Sequence, residues 1–204
     1  MNRCLRNVFV FALILVPTLL MAQAPTLPEF SADMKVTTPK MQQPMPGKLF
    51  FEQGKMRMDM TMGAQSMSLI TDPGTQTSYV LMHAQKMYMQ MPSQGGSPGG
   101  FRFPDVHRYD PENPCANQQG TTCKKVGTET VNGRVCDKWI FTRSSGDQTV
   151  WVDQKLHFPI KSVQSDGSTF ELSNIQEGAQ AASLFVPPAG YRLFDMGGMM
   201  GNRR

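Results

Sequence analysis

The chain has little charge, few aromatics and almost no cysteine. Only 18% of its 204 residues are Asp, Glu, Lys or Arg, 9% are Phe, Tyr or Trp, and there are 3 His and 4 Cys. Lys and Arg number 20 against 16 Asp and Glu, a formal +4, and no basic cluster is dense enough to neutralise a run of phosphates. Nucleic acid is therefore not an expected partner. No C-x-x-C pair and no Cys/His zinc spacing occurs, and neither a phosphate loop nor a dinucleotide fingerprint is present, so no cofactor is implied. Helical periodicity is scarce: SADM near 31, DVHRYD near 105 and EGAQAASLF near 177 offer a turn or two each. No repeat of 20 to 50 residues is visible. With 40% apolar residues alongside 18 Gly and 15 Pro, the chain has enough to bury for one core of ordinary size. What is abundant is methionine, with 17 residues.

Residues 1–24, MNRCLRNVFVFALILVPTLLMAQA, place Arg3 and Arg6 ahead of an apolar run from Val8 to Leu20 that ends in small residues. This pattern is that of a secretory signal peptide. The run is shorter than the roughly 20 apolar residues of a membrane span, and Pro17 interrupts it. Cleavage after Ala22 competes with cleavage after Ala24, because Pro25 would follow the second cut. Cys4 precedes the apolar run, so it is not a lipidated cysteine of the bacterial lipoprotein type. The expected product is periplasmic or secreted, not membrane-spanning, and loss of Arg3 and Arg6 takes its formal charge from +4 to about +2. The expected organisation is one β domain over 25–195, with an excursion loop at 92–120 and a frayed tail at 196–204.

Nearly every readable segment of that domain has period two. After Phe50-Phe51 and a Gly54-Lys55 turn, Met56, Met58, Met60 and Met62 alternate with Arg57, Asp59 and Thr61. SMSLITD and QTSYVLM flank Pro73-Gly74, and Met87, Met89 and Met91 alternate again in KMYMQM, which makes an antiparallel meander. KKVGTETV, Asn132-Gly133 and RVCDKWIF form a two-residue type I′ hairpin in which Val131 faces Arg134. That register puts Val126, Val135, Trp139 and Phe141 on one, core-like face, and Glu129, Cys136, Lys138 and Ile140 on the other. Arg134 and Lys138 read as solvated hairpin charges. Further strands are expected at 148–153, 156–164 with an edge or bulge at Pro159, and 168–175, for eight or nine in all.

An oxidising compartment favours a disulfide among Cys115, Cys123 and Cys136. The hairpin register sets Cys123 opposite Thr142, ~20 Å along the ladder from Cys136, which disfavours that bond. Cys115 with Cys123 is the preferred pair, and Cys115 with Cys136 the second.

In order, these pieces resemble the periplasmic families around the lipoprotein carriers LolA and LolB, and more narrowly the DUF4412 group. FSADMKV, LFFEQGKMRMDM and SLITDPGTQTSYVLMHAQKMYMQM look like that group's opening strands. GTETVNGRVCDKWIF, WVDQKLHFPIKSV and SLFVPPAGYRLF look like its hairpin, its W-x-D…P-x-K strand and its closing segment, so the likeness spans roughly Phe30 to Phe194. The resemblance implies a strongly curved antiparallel sheet, an incomplete barrel whose concave face takes apolar ligands, which in the carriers are acyl chains. No counterpart of the carriers' lid helices is visible, and no position matches a carrier residue that acts in lipoprotein release.

The expectation for function follows from sulfur. Met56, Met58, Met60, Met62, Met67, Met87, Met89 and Met91, with Trp139 and Trp151, are the candidate ligand-binding residues, because flexible thioethers adapt to varied apolar shapes. An apolar small molecule or acyl chain is the expected ligand, with envelope proteins as further partners. Against it stands an ordinary core filled by methionine, with the protein serving as an envelope scaffold. A third reading is copper handling, since Met-x-Met-x-Met supplies soft ligands for Cu(I) although only His83 lies near. The tryptophans suit core anchoring better than ligand stacking, because each sits among β-branched and aromatic neighbours.

Enzymatic signatures fail on context. Gly95-Gly96-Ser97-Pro98-Gly99 fits G-x-S-x-G, but a nucleophile elbow needs a strand before and a helix after. Asp105, His107 and His157 have no second motif converging on them. Glu129 and Asp137 fall on opposite hairpin faces and cannot form a carboxylate pair. The expectation is a binding protein and not an enzyme.

Overall fold

The computed structural model describes residues 28–92, 114–115 and 119–194. The leader at 1–24, most of the 92–120 excursion, including Ser97 and His107, and the 196–204 tail lie outside them. Twelve strands are present among the described residues: β1 (Phe30–Thr37), β2 (Met45–Glu52), β3 (Lys55–Met62), β4 (Gln65–Asp72), β5 (Thr77–Met82), β6 (Met87–Pro92), β7 (Thr121–Val131), β8 (Arg134–Arg143), β9 (Gly146–Asp153), β10 (Phe158–Gln164), β11 (Thr169–Glu177) and β12 (Arg192–Leu193). The period-two pattern thus gives more strands than the expected eight or nine. β2 and β3 are each complete, and a two-residue strand near the chain end adds a last member. The single short helix among the described residues is a 3₁₀ turn at Ala182–Phe185; SADM near 31 is strand, because Phe30, Ala32, Met34 and Val36 alternate into the core.

All twelve strands belong to one sheet in the order β12-β6-β5-β4-β3-β2-β1-β11-β10-β9-β8-β7. Every neighbouring pair is antiparallel except β12 with β6. β7 and β12 are the edges, so the sheet is not closed into a barrel. Its curvature is visible in three rings. Phe158 on β10 lies 5.0 Å from Phe30 on β1 and 5.1 Å from Phe51 on β2, centroid to centroid. In a flat sheet β10 and β2 would stand three spacings, roughly 14 Å, apart. The sheet therefore curls, and these rings sit in the main core. The hairpin tip repeats the evidence: Asn132 Nδ2 donates to the Leu172 carbonyl at 2.7 Å and to Glu171 at 2.9 Å on β11, which is four strands from β7 in the sheet order.

Local chemistry sets the turns. Asn132 and Gly133 both have positive φ (49° and 80°), as a type I′ turn demands. The β2–β3 turn is of the same kind but sits at Gln53 (46°) and Gly54 (84°), one residue before the expected Gly54-Lys55. Pro159 marks a register shift in the β9–β10 ladder, as its missing N–H suggests. A second irregularity, between Lys125 and Gly127, moves the far half of the β7–β8 hairpin by one residue. Cys123 consequently faces Phe141 and not Thr142, and the expected core-like face breaks: Trp139 and Phe141 are buried, but Val126 is 43% and Val135 51% exposed. The bulge and Lys124-Lys125 also make this edge strand a poor template for pairing with another chain.

The disulfide joins Cys115 to Cys123 with Cα atoms 5.9 Å apart, and Cys136 is a free, buried thiol. Among the described residues no helix is long and apolar enough to cross a membrane.

Candidate functional site

Register places the methionines in rows that run across the strands. In the row nearest the β3–β4 turn, Gly47, Met60, Met67, Met82 and Met87 stand opposite one another in succession from β2 to β6. The next row is Leu49, Met58, Leu69, Val80 and Met89, and the third is Phe51, Met56, Thr71, Ser78 and Met91. Since side chains alternate between faces, all of these share one face of the sheet. Burial grades across it. The middle row is sealed from Leu49 to Val80, with Met58 at 2%, while Met89 at its β6 end is half-buried, as are Met56, Met60, Met67, Met87 and Met91 of the other rows. All but Met87 of these six pack against the main core cluster. Met62 ends β3 opposite Gln65, and its side chain lies outside the described residues.

The tryptophans part company. Trp139 pairs with Val150 and Trp151 with Lys138 in one regular ladder, so the two rings point to opposite faces. Trp151 joins the main cluster that holds the methionines, its Nε1 donating to Glu129 at 2.7 Å and its ring lying under the Lys138 and Lys161 ammonium groups at 5.0 and 5.2 Å. Trp139 belongs to a separate cluster with Cys115, Phe141, Val150 and Val152. Its Nε1 is buried without a hydrogen-bond partner among the described residues.

Lys138 and Arg134 are more than solvated hairpin charges. Lys138 donates to Glu129 at 2.6 Å as well as covering Trp151. Arg134, whose side chain is 20% exposed, forks onto Asp153 and reaches Glu177 at 3.0 Å. Asp153 also accepts the backbone N–H groups of Lys155 (2.9 Å) and Leu156 (2.6 Å). Burial alone would raise its pKa, but the Arg134 bonds and the two amides outweigh it and hold the carboxyl below its ordinary value. Cys136 behaves oppositely: burial, then the Asp153 charge, push its thiol up to about 11.

On the other face of β3–β5 lies a polar network that the sequence reading did not find. Ser68 Oγ is 2.5 Å from Asp59 Oδ1 and 2.6 Å from His83 Nε2, and His83 Nδ1 is 2.6 Å from the Tyr191 hydroxyl. Arg57 closes it, donating to Asp59 (2.7 Å), Ser68 (3.3 Å) and the Leu184 carbonyl (3.0 Å). A Ser next to a His suggests a nucleophile and base, but counting protons assigns other roles. The Ser68 proton goes to the carboxylate, so Nε2–H donates to Oγ, and Nδ1 faces the Tyr191 hydroxyl. In this arrangement His83 Nε2 is a donor to the serine and not its base. The network instead fastens the C-terminal segment to the sheet, with the 3₁₀ turn, through Phe185, packed on Ile70 and Leu81 of this back face. A pocket of about 520 Å³ opens beside it, at which Arg57, Asp59 and His83 of the network meet Gly47, Met60 and Met67 of the methionine row. One signal for the network existed in the sequence: Arg57, Asp59 and Ser68 are the residues that alternate with the methionines. No group of three His, Cys, Asp or Glu suited to a metal occurs among the described residues.

The chain belongs to the family described as "Domain of unknown function (DUF4412)", which matches residues 30–157. No curated protein matches it. Among solved structures, an uncharacterised conserved protein from Thermus thermophilus superposes with a TM-score of 0.57 at 6% identity, covering 83% of this chain and 90% of that one. The complex of MucA and MucB from Pseudomonas aeruginosa gives 0.51 at 14% identity, covering 80% of this chain and 57% of that chain. A LolA superfamily protein from Nitrosomonas europaea gives 0.39 at 10% identity, covering 80% and 92%.

Proposed function

We propose that this chain is an exported, non-enzymatic binding protein that holds an apolar ligand, a lipid or a lipid-modified polypeptide, against the methionine face of its curled sheet. The observation that carries the reading is the grading of that face. A middle row sealed around Met58 anchors it, and half-buried thioethers from β3, β4 and β6 flank that row on both sides. Branched side chains would lock such a surface into one shape, whereas methionine adapts to chains of varied length and kink. The 3₁₀ turn packs on the opposite face and so leaves these residues to another occupant. The proton assignment around Ser68 supports the non-enzymatic part. The fold shared with MucB, which is solved in complex with the MucA(peri) polypeptide, supports an envelope location and a polypeptide among the partners.

The test is native mass spectrometry of protein purified without detergent, paired with displacement of a fluorescent fatty acid. A co-purifying lipid mass that denaturation releases, and displaceable binding of the probe, are the expected results. Bare protein that also ignores the probe would overturn the reading and leave the scaffold.

A further inference from the structure

We infer that the outermost methionine row, Met60, Met67, Met82 and Met87, is a Cu(I) site. Four strands in succession, β3 to β6, each present one methionine at the same level, and each stands directly opposite the next. Residues opposite one another in antiparallel strands have Cβ atoms ~4.5–5.5 Å apart, against nearly 7 Å for same-face neighbours along one strand. The thioether arm, with three rotatable bonds, spans the shorter gap, so sulfurs from adjacent strands can reach one ion. Met82, absent from the sequence reading because it stands alone in QTSYVLM, is the residue that makes the row continuous.

Ligand chemistry names the ion. Thioethers are soft, uncharged donors that favour Cu(I) over harder ions. The row holds no carboxylate, imidazole or thiolate to satisfy a divalent cation, and the one histidine close in sequence, His83, points its ring to Ser68 and Tyr191 on the back face. Met60, Met67, Met82 and Met87 are all half-buried and so within reach of an ion, whereas Leu49, Met58, Leu69 and Val80 of the neighbouring row are sealed. At its inner end the row meets Gly47, and the Met34 side chain of β1 packs over that glycine beside Met60.

This inference goes beyond the apolar-ligand reading and is independent of it, and leucine separates the two. Leucine keeps the volume and apolar character of methionine but has no sulfur. The protein, kept reduced with ascorbate, is titrated with Cu(I) against the chelator bicinchoninate, alongside the triple variant Met60→Leu, Met67→Leu, Met82→Leu and a control, Met56→Leu with Met91→Leu, from the third row. One equivalent of Cu(I) is expected to be withheld from the chelator by the wild type and the control. The triple variant should lose at least ~100-fold in affinity, more than loss of an outer-sphere partner usually costs. X-ray absorption of the loaded protein should show sulfur neighbours at ~2.3 Å, the usual metal–sulfur length, and Zn(II) should not bind. Far-UV circular dichroism checks that the triple variant is folded; should it not be, each single Met→Leu variant is titrated in its place. Failure of the wild type to hold Cu(I), equal affinity in the leucine variants, or a shell of nitrogen and oxygen alone would overturn the site. Fatty-acid displacement is measured on the same samples. Lost copper with retained lipid binding leaves the apolar-ligand reading standing, and the reverse leaves the copper site standing.

Discussion

The terminal methyl group of Met34 lies 2.8 Å from the point where a Cβ on Gly47 would stand. The two residues face each other across β1 and β2, and the missing side chain is the space that Met34 fills. The main-chain carbonyl of Asp59 crowds the same point from β3. Gly47→Ala should therefore destabilise the protein by about 1–3 kcal/mol, as forced overpacking does. Adding Met34→Ala should not restore the loss, because the backbone contact remains and a cavity is added. Chemical denaturation of wild type, the single variant and the double variant checks this, and a Gly47→Ala protein as stable as wild type would contradict it.

Asp153 should give the protein an acid-sensitive step. Its folded pKa lies below the ordinary 3.8, so its contribution is fully present above that value and is lost as pH falls through the folded pKa. Asp153→Asn should cost about 3 kcal/mol near neutrality, since it leaves Arg134 without its main partner. Below pH ~4 the gap between variant and wild type should narrow. Stability against pH, measured by urea unfolding, reads both effects.

The Cys136 thiol, with its pKa near 11 and its side chain buried, should be inert toward alkylating reagents at pH 8 in the folded protein and react at once in denaturant. The reaction rate of native protein with iodoacetamide checks it. Rapid native labelling would mean that the β8–β9 region opens readily.

Tyr191→Phe removes the hydroxyl hydrogen-bonded to His83 Nδ1 without changing the ring that packs on it at 5.8 Å. A loss of about 1 kcal/mol is expected, concentrated in the C-terminal segment. Hydrogen exchange should speed up at the amides of Arg192 and Phe194, which bond the carbonyls of Lys86 and Tyr88, and stay unchanged in β1 and β11.

Much of this architecture was legible because strands announce themselves by alternation. Met56, Met58 and Met60 against Arg57 and Asp59 give both the strand and its two faces, and Asn132-Gly133 gives a hairpin with its register. The preference for Cys115 with Cys123 also agrees with the observed bond. The errors cluster where backbone irregularity enters. The bulge at Val126 has no signature in KKVGTETV, yet it shifts Cys123 by one residue and leaves Val126 and Val135 in solvent. Arg134 reads as solvated in the sequence because its partners, Asp153 and Glu177, are 19 and 43 residues away.

The amino-acid sequence alone determined that this chain makes antiparallel strands with sulfur on one side, since side-chain alternation is a local property of an extended backbone. Only the tertiary structure decided which methionines are neighbours, which are sealed, and that the polar residues between them meet His83 and Tyr191. Those facts depend on strand order, register and curl. They are fixed by contacts between residues far apart in the chain, whose free energy no short stretch of sequence contains.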